Sequence, residues 1–165
     1  MTCNTPDPTE RSLWRPLRLL QAAMDAEIAS LYAEAGIQGL KPSHVMELLR
    51  LHARGPMTIT ELASSVQLTH SAVSQKVAAM RAAGLVRTAP GQDARTRKVA
   101  LTAKAKRLIG ALAAEWCATE AVLEEIEAEI PYPLSRVVTD IQAALARQSF
   151  RDRITEKLAG DDAWR

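Results

Sequence analysis

The chain is short of the residues that metal sites, disulfide scaffolds and membrane spans require. Its 165 residues include two cysteines, Cys3 and Cys117. These are too few and too far apart for a disulfide framework or a thiolate metal site. Cys117 is expected to be a small buried apolar residue on a helix, and Cys3 to sit in a mobile tail. Aromatic residues make up 4% of the chain, so the core must rest on Leu, Ala, Val and Ile, which suits helices. No apolar run approaches the ~18 residues of a membrane span. The opening MTCNTPDPTERSLWRPL has no apolar signal-peptide core. A soluble, cytoplasmic protein is expected. His44, His52 and His70 do not form a close pair with a carboxylate or thiol. Gly84 and Gly91 read as a helix cap and a turn rather than a phosphate loop, and no nucleophile motif is present. No cofactor, no metal and no enzyme activity are expected.

What is present is an uneven distribution of charge. The formal net charge is +2. Residues 41–110 hold 12 Lys/Arg against 3 Asp/Glu, residues 1–40 hold 3 against 5, and residues 111–165 hold 6 against 11. A basic middle between acidic arms implies a polyanionic partner for the middle alone.

Hydrophobic spacing divides the chain further. Leu13, Leu17, Leu20, Met24, Ile28, Leu31 and Ala35 recur at steps of three and four and predict one helix, with Pro16 tolerated at its start. AGIQGLKPS ends it. SHVMELLRLHA predicts a second helix with Val45, Leu48, Leu49 and either Leu51 or His52 inward, Ser43 as its N-cap and Glu47 in its first turn. RGPM stops it. In TITELASSVQL, Thr58 and Glu61 have capping-box spacing. After only Gln67 and Leu68, Thr69 caps HSAVSQKVAAMRAA, which buries Val73, Val77 and Met80 and ends at Gly84. Two short helices joined this tightly form a helix-turn-helix pattern. The period then changes to two. LVRT and KVALT predict strands, with APGQDARTR as the loop between them. Thr102 caps a helix of about 28 residues whose stripe runs from Leu101 through Ala105, Leu108, Leu112, Trp116, Leu123 and Ile126 to Ile130. Pro131 and Pro133 break it. Leu134, Val138, Ile141 and Leu145 form another stripe, and Phe150, Ile154 and Leu158 face inward on a last short helix.

The helix beginning at His70 has the chemistry of a major-groove reader. Its outer residues are small or hydrogen-bonding, so the backbone can approach bases. Gln75 can bond adenine bidentately, Ser71 suits either base type, and the Ala72 methyl can meet a thymine methyl. His70, Ser74 and Lys76 suit phosphates. The loop that follows carries Arg95, Arg97 and Lys98 at a tip where no core needs them, and arginine gains from the negative potential of a narrow minor groove. Asp93 is suited to bracing an arginine and fixing the loop's shape. The rival reading is a winged-helix protein–protein interaction module that binds no DNA. Steep salt dependence of DNA binding discriminates the two.

TITELASSVQLTHSAVSQKVAAMRAAGLV followed by DARTRKVALT resembles the MarR family of bacterial transcription regulators. The spacing D-x-R-x(5)-L-T is met by Asp93, Arg95, Leu101 and Thr102. The likeness is specific over about residues 40–110 and rests on helix order outside them. It implies a mostly α, winged helix-turn-helix protein with a β-hairpin wing, flanked by N- and C-terminal dimerisation helices. It also implies a homodimer on a pseudo-palindromic double-stranded DNA operator, acting as a repressor and released by a small-molecule effector or oxidant. Gln75 stands where a basic residue is frequent in such proteins, and the chain has few aromatics for a phenolic pocket. The apolar stripes at both ends exceed what one winged core covers, which agrees with a two-fold dimer. The expected division is a disordered lead at 1–10, an N-terminal dimerisation helix at 11–40, a winged helix-turn-helix DNA-binding core at 41–102, C-terminal dimerisation helices at 103–160 and a tail at 161–165.

Overall fold

The computed structural model describes residues 7–90 and 97–164. The elements run α1 (Arg15–Glu34), α2 (Val45–Arg54), α3 (Ile59–Ser65), α4 (His70–Ala82), β1 (Val86–Pro90), β2 (Arg97–Leu101), α5 (Ala103–Glu129), α6 (Leu134–Arg147) and α7 (Phe150–Leu158). Leu13–Ala118 forms one compact unit; Thr119–Arg165 and the segment ending at Ser12 form a second. The boundary falls within α5.

The core belongs to the first unit. Leu48 of α2, Leu62 of α3, Val73 and Met80 of α4, Leu85, and Ala105 and Leu112 of α5 are fully enclosed. These are the positions that helical spacing brings to one face of each element. On α2 it is Leu51 that turns inward, while His52 is exposed. On α1 the buried residue is Tyr32, with Ile28 packed beside it, and Leu13, Leu20 and Leu31 of the expected stripe lie exposed. The Tyr32 hydroxyl donates to Glu115 Oε2 at 2.6 Å and ties α1 to α5. Burial, and then this bond to a carboxylate, push the phenol's pKa up.

Three helices end in the same turn. The amides of Ile37, Leu68 and Leu85 reach back to the carbonyls of Tyr32, Ala63 and Met80 at 2.8, 3.0 and 2.9 Å. This 6→1 bond needs a left-handed residue just past the cap. Gly36 (φ 71) and Gly84 (φ 69) supply it without strain, and Gln67 (φ 55) does so between α3 and α4. Gly84 therefore lies one residue beyond the cap of α4, which is Ala83.

The helix starts follow the sequence, with one exception. Thr58 Oγ1 accepts from the Glu61 amide at 3.1 Å, and Glu61 Oε2 accepts from the Thr58 amide at 2.7 Å, which completes the capping box. Thr69 Oγ1 caps α4 through the Ala72 amide at 3.2 Å. Ser43 does not cap α2. A 3-10 turn, Pro42–His44, leads directly into that helix, so His44 takes the cap position without a side-chain bond.

β1 and β2 pair antiparallel, with Val86 opposite Leu101 and Pro90 opposite Arg97. Met57 adds a one-residue third strand, exchanging bonds of 3.1 and 2.7 Å with Val99. RGPM, expected only to stop α2, supplies this residue. Two expectations change here. Arg97 and Lys98 belong to β2, not to a loop tip, because the ladder extends to Pro90. Leu101 also ends β2 rather than opening the stripe of α5. Thr102 then joins the hairpin to its surroundings: Oγ1 donates to the Gly84 carbonyl at 2.7 Å and accepts from the Ala105 amide at 3.2 Å.

In the second unit, α5 ends before Pro131 and Pro133. The Glu127 carboxylate caps α6 in place of a side chain at Pro133, accepting from the Ser135 amide at 2.6 Å. The Ser135 hydroxyl bond and this backbone bond hold the Glu127 carboxyl below its usual pKa. Neither α6 nor α7 buries a residue. Phe150 and Ile154, expected to face inward, are exposed, as are Leu134, Val137 and Val138. Cys117, in the first unit, is also exposed rather than buried. Cys3 lies outside the described residues. Among the described residues no helix is long and apolar enough to cross a membrane.

Candidate nucleic-acid interface

Val73, Val77 and Met80 hold α4 against the core, which fixes what its opposite side presents. Ser71, Gln75, Ala78 and Ala82, at steps of four, three and four, share that outer face and are all exposed. His70 is exposed at the first helical residue, and Ala72 and Ser74 are half-buried. Sequence reasoning stopped at the first turns and missed Ala78, Ala79 and Ala82. These alanines carry the low, small-side-chain face down the helix. The signal was the run AAMRAA, in which Met80 is buried and Ala83 packs against the core while Ala78, Ala79 and Ala82 are left outside. Arg81, also missed, is exposed in the last turn of α4.

Lys76 points elsewhere. Its ammonium donates to Glu47 Oε1 at 2.7 Å and to the Ser43 carbonyl at 2.6 Å, both on or beside α2. The Glu47 side chain is fully enclosed, at 0% exposure, while that of Lys76 is 27% exposed. His44 is buried beside them. Burial pulls the His44 imidazole below its ordinary pKa; Glu47 opposes this, and Lys76 and Lys41 add to it. Among the described residues no three His, Cys, Asp or Glu side chains gather as a metal site.

His44 carries a pH prediction. Its folded pKa lies below the ordinary value of 6.5, so the unfolded chain takes the proton first. Its contribution is therefore present above the unfolded value and is lost as pH falls through that value towards the folded one. The melting temperature should fall between pH about 7.5 and about 5.5 more steeply in the natural chain than in His44→Gln. Identical slopes in the two proteins would remove His44 from the account.

On the hairpin, Arg97 is exposed and Arg87 of β1 is exposed opposite Ala100. Lys98 is half-buried. The Thr58 backbone and side-chain bonds hold the Glu61 carboxyl below its usual pKa, and the charge of Lys98 adds to that effect. Asp93 and Arg95 lie outside the described residues. The structure brings Ser71 and Gln75 onto one surface with the alanines, leaves Arg97 and Lys98 on the hairpin, and turns Lys76 back onto α2.

The profile of the MarR family matches residues 38–96. The sequence has no match among curated proteins. Several solved structures share the fold. The MepR–DNA complex of S. aureus is 15% identical with a TM-score of 0.59, covering 83% of this chain and 98% of that one. The transcriptional regulator MOSR of M. tuberculosis, in complex with DNA, is 23% identical with a TM-score of 0.56, covering 84% and 99%. The transcriptional regulator SlyA is 10% identical with a TM-score of 0.58, covering 88% and 99%.

Proposed function

We propose that this chain, whose residues 38–96 match the MarR family, is a homodimeric, cytoplasmic transcription regulator that reads duplex DNA with α4. Occupancy of a pseudo-palindromic operator then represses the adjoining promoter. The observation that carries this reading is the outer face of α4. Ser71, Gln75, Ala78 and Ala82 offer hydrogen-bonding groups on a low surface, directly before a basic hairpin. That is what entry into a major groove asks of a helix. MepR and MOSR, which share the fold, are complexes with DNA. His70, Ser74 and Arg97 fit the flanking phosphates, and Ser71, Ala72 and Gln75 the base edges. Segments 11–40 and 103–160 are the dimerising arms.

The test is duplex binding across a salt series. A DNA-binding protein loses affinity steeply, with a slope of about −0.9 for each phosphate neutralised. A protein–protein module of the same fold shows weak binding to any sequence and no selected operator.

Within the same reading, Arg95 makes the wing's main contact and Asp93 holds the wing's shape. Arg95→Ala should weaken binding on every sequence and make the salt slope shallower by about one unit. Asp93→Ala should also weaken binding, although it removes a negative charge that bulk electrostatics counts as a gain. Tighter binding by Asp93→Ala would mean that net charge alone governs the wing.

A further inference from the structure

We infer that the Lys76–Glu47 pair is a positioning device: it fixes the seat of α4 on α2, and Lys76 takes no part in phosphate binding. The inference rests on the DNA-binding reading above. Lys76 has the charge and the helix of a phosphate contact, and on sequence alone it reads as one. The structure gives its ammonium two acceptors already, Glu47 Oε1 at 2.7 Å and the Ser43 carbonyl at 2.6 Å.

Leaving them is unfavourable. The Glu47 side chain is 0% exposed. Its other oxygen, Oε2, is buried without a hydrogen-bond partner, as is Nδ1 of the neighbouring His44. If Lys76 moved out to a phosphate, a fully enclosed carboxylate would lose its counter-charge. Breaking a buried pair in this way costs far more than a solvent-exposed ionic contact returns.

The pair also does something the apolar burial of α4 does not. Val73, Val77 and Met80 are smooth apolar side chains, and their burial is non-directional. They set which face of α4 is buried, and a bond to a fixed acceptor narrows the rotation within that setting. Lys76 binds two acceptors on α2 and the turn before it, which fixes one direction around the helix axis. Successive residues on a helix are about 100° apart. Fixing Lys76 inward therefore fixes Gln75, one residue earlier, outward. At the far end of α4, Lys104 donates to the Ala83 carbonyl at 3.0 Å and Thr102 to the Gly84 carbonyl at 2.7 Å. The helix is held by directional bonds in its middle and at its end.

The experiment uses the full chain and a duplex selected from a randomised pool with the natural protein. The double variant Glu47→Leu/Lys76→Met replaces the pair with apolar side chains of similar size, a change that such pairs tolerate well. Glu47→Gln is the second variant; it keeps the shape and an acceptor for Lys76. Two quantities are read for each: the salt slope, and the spread of affinity between the selected duplex and its single-base variants. The natural protein should show a spread of about 10–100-fold. The double variant should compress it to about 3-fold or less and Glu47→Gln, which keeps the bond, should retain it, with the salt slope unchanged in both. Amide exchange along α4, measured without DNA, should be faster in the double variant than in Glu47→Gln at matched melting temperature. A slope shallower by about one unit in the double variant means that Lys76 held a phosphate, and overturns the inference. A spread unchanged in the double variant overturns it as well. Failure of the natural protein to select any duplex instead removes the DNA-binding reading itself, a result visible before any variant is made.

Discussion

Val138→Asp is expected to convert a dimer into a monomer and to lower affinity for the selected duplex by about 100-fold or more. Val138 lies in the middle of α6, in line with Leu134, Ile141 and Leu145. The 14-residue helix buries none of its residues within the chain. An isolated helix of that length is marginal in water, and helices of proteins are held chiefly by packing of an apolar face. In the proposed homodimer a second copy of the chain supplies that packing. An aspartate at the centre of such a contact must be desolvated without a partner, which a dimer does not tolerate. The single chain does tolerate it, because Val138 is already 45% exposed there. Helical content should therefore survive while the sedimentation coefficient at micromolar protein falls to that of one chain. The loss of affinity follows from geometry. Two recognition helices on one dimer engage half-sites about one DNA turn apart, and a monomer forfeits the second engagement. A Val138→Asp protein that still sediments as a dimer and binds as the natural one does would move the subunit boundary away from α6.

The same arms show where sequence reading works and where it fails. Spacing located α1 to α7 and the hairpin, most sharply where a start signal stands beside the period, as with the Thr58–Glu61 box and Thr69. It also located the core of α4. It went wrong where partner identity, not period, decides. Leu13, Leu20 and Phe150 follow helical spacing as well as Leu48 does, yet they are exposed in the single chain. Periodicity marks a face for burial without saying whether the cover is in the same chain. Tyr32 is hard to read for a different reason: it stands four residues past Ile28 as Leu31 stands three, and only its place in the core and its bond to the distant Glu115 separate the two. Lys76 is the instructive case for the site. Nothing in SQKVAAM distinguishes a lysine bound for phosphate from one bound for Glu47, 29 residues earlier. A long-range pair of this kind leaves no local trace. The one-residue strand at Met57 is equally silent, since its bonds to Val99 need no alternating pattern.

Gln75→Ala should lose discrimination at one or two base pairs, by about 1–3 kcal/mol each, while keeping its affinity for duplexes already mismatched at those positions. The glutamine is exposed on the outer face of α4 and makes no part of the core. Its neighbours on that face, Ser71 and Ala78, are small, so truncation opens no cavity. The melting temperature should therefore stay within the range of ordinary surface substitutions, about 0.5 kcal/mol of stability. A glutamine amide can donate to and accept from one adenine edge at once, and no other base offers that pairing in the major groove. The loss should thus appear at adenine positions of the selected duplex and be symmetric about its centre, since two copies read it. This separates Gln75 from the wing, where Arg95→Ala lowers affinity for every sequence alike. The salt slope provides the second separation: an uncharged side chain releases no counterion, so Gln75→Ala should leave the slope as it is. The measurement is a panel of single-base operator variants titrated against both proteins at two salt concentrations. If Gln75→Ala ranks the panel as the natural protein does, Gln75 reads no base, and the work of recognition passes to Ser71, Ala72 and the shape of the DNA.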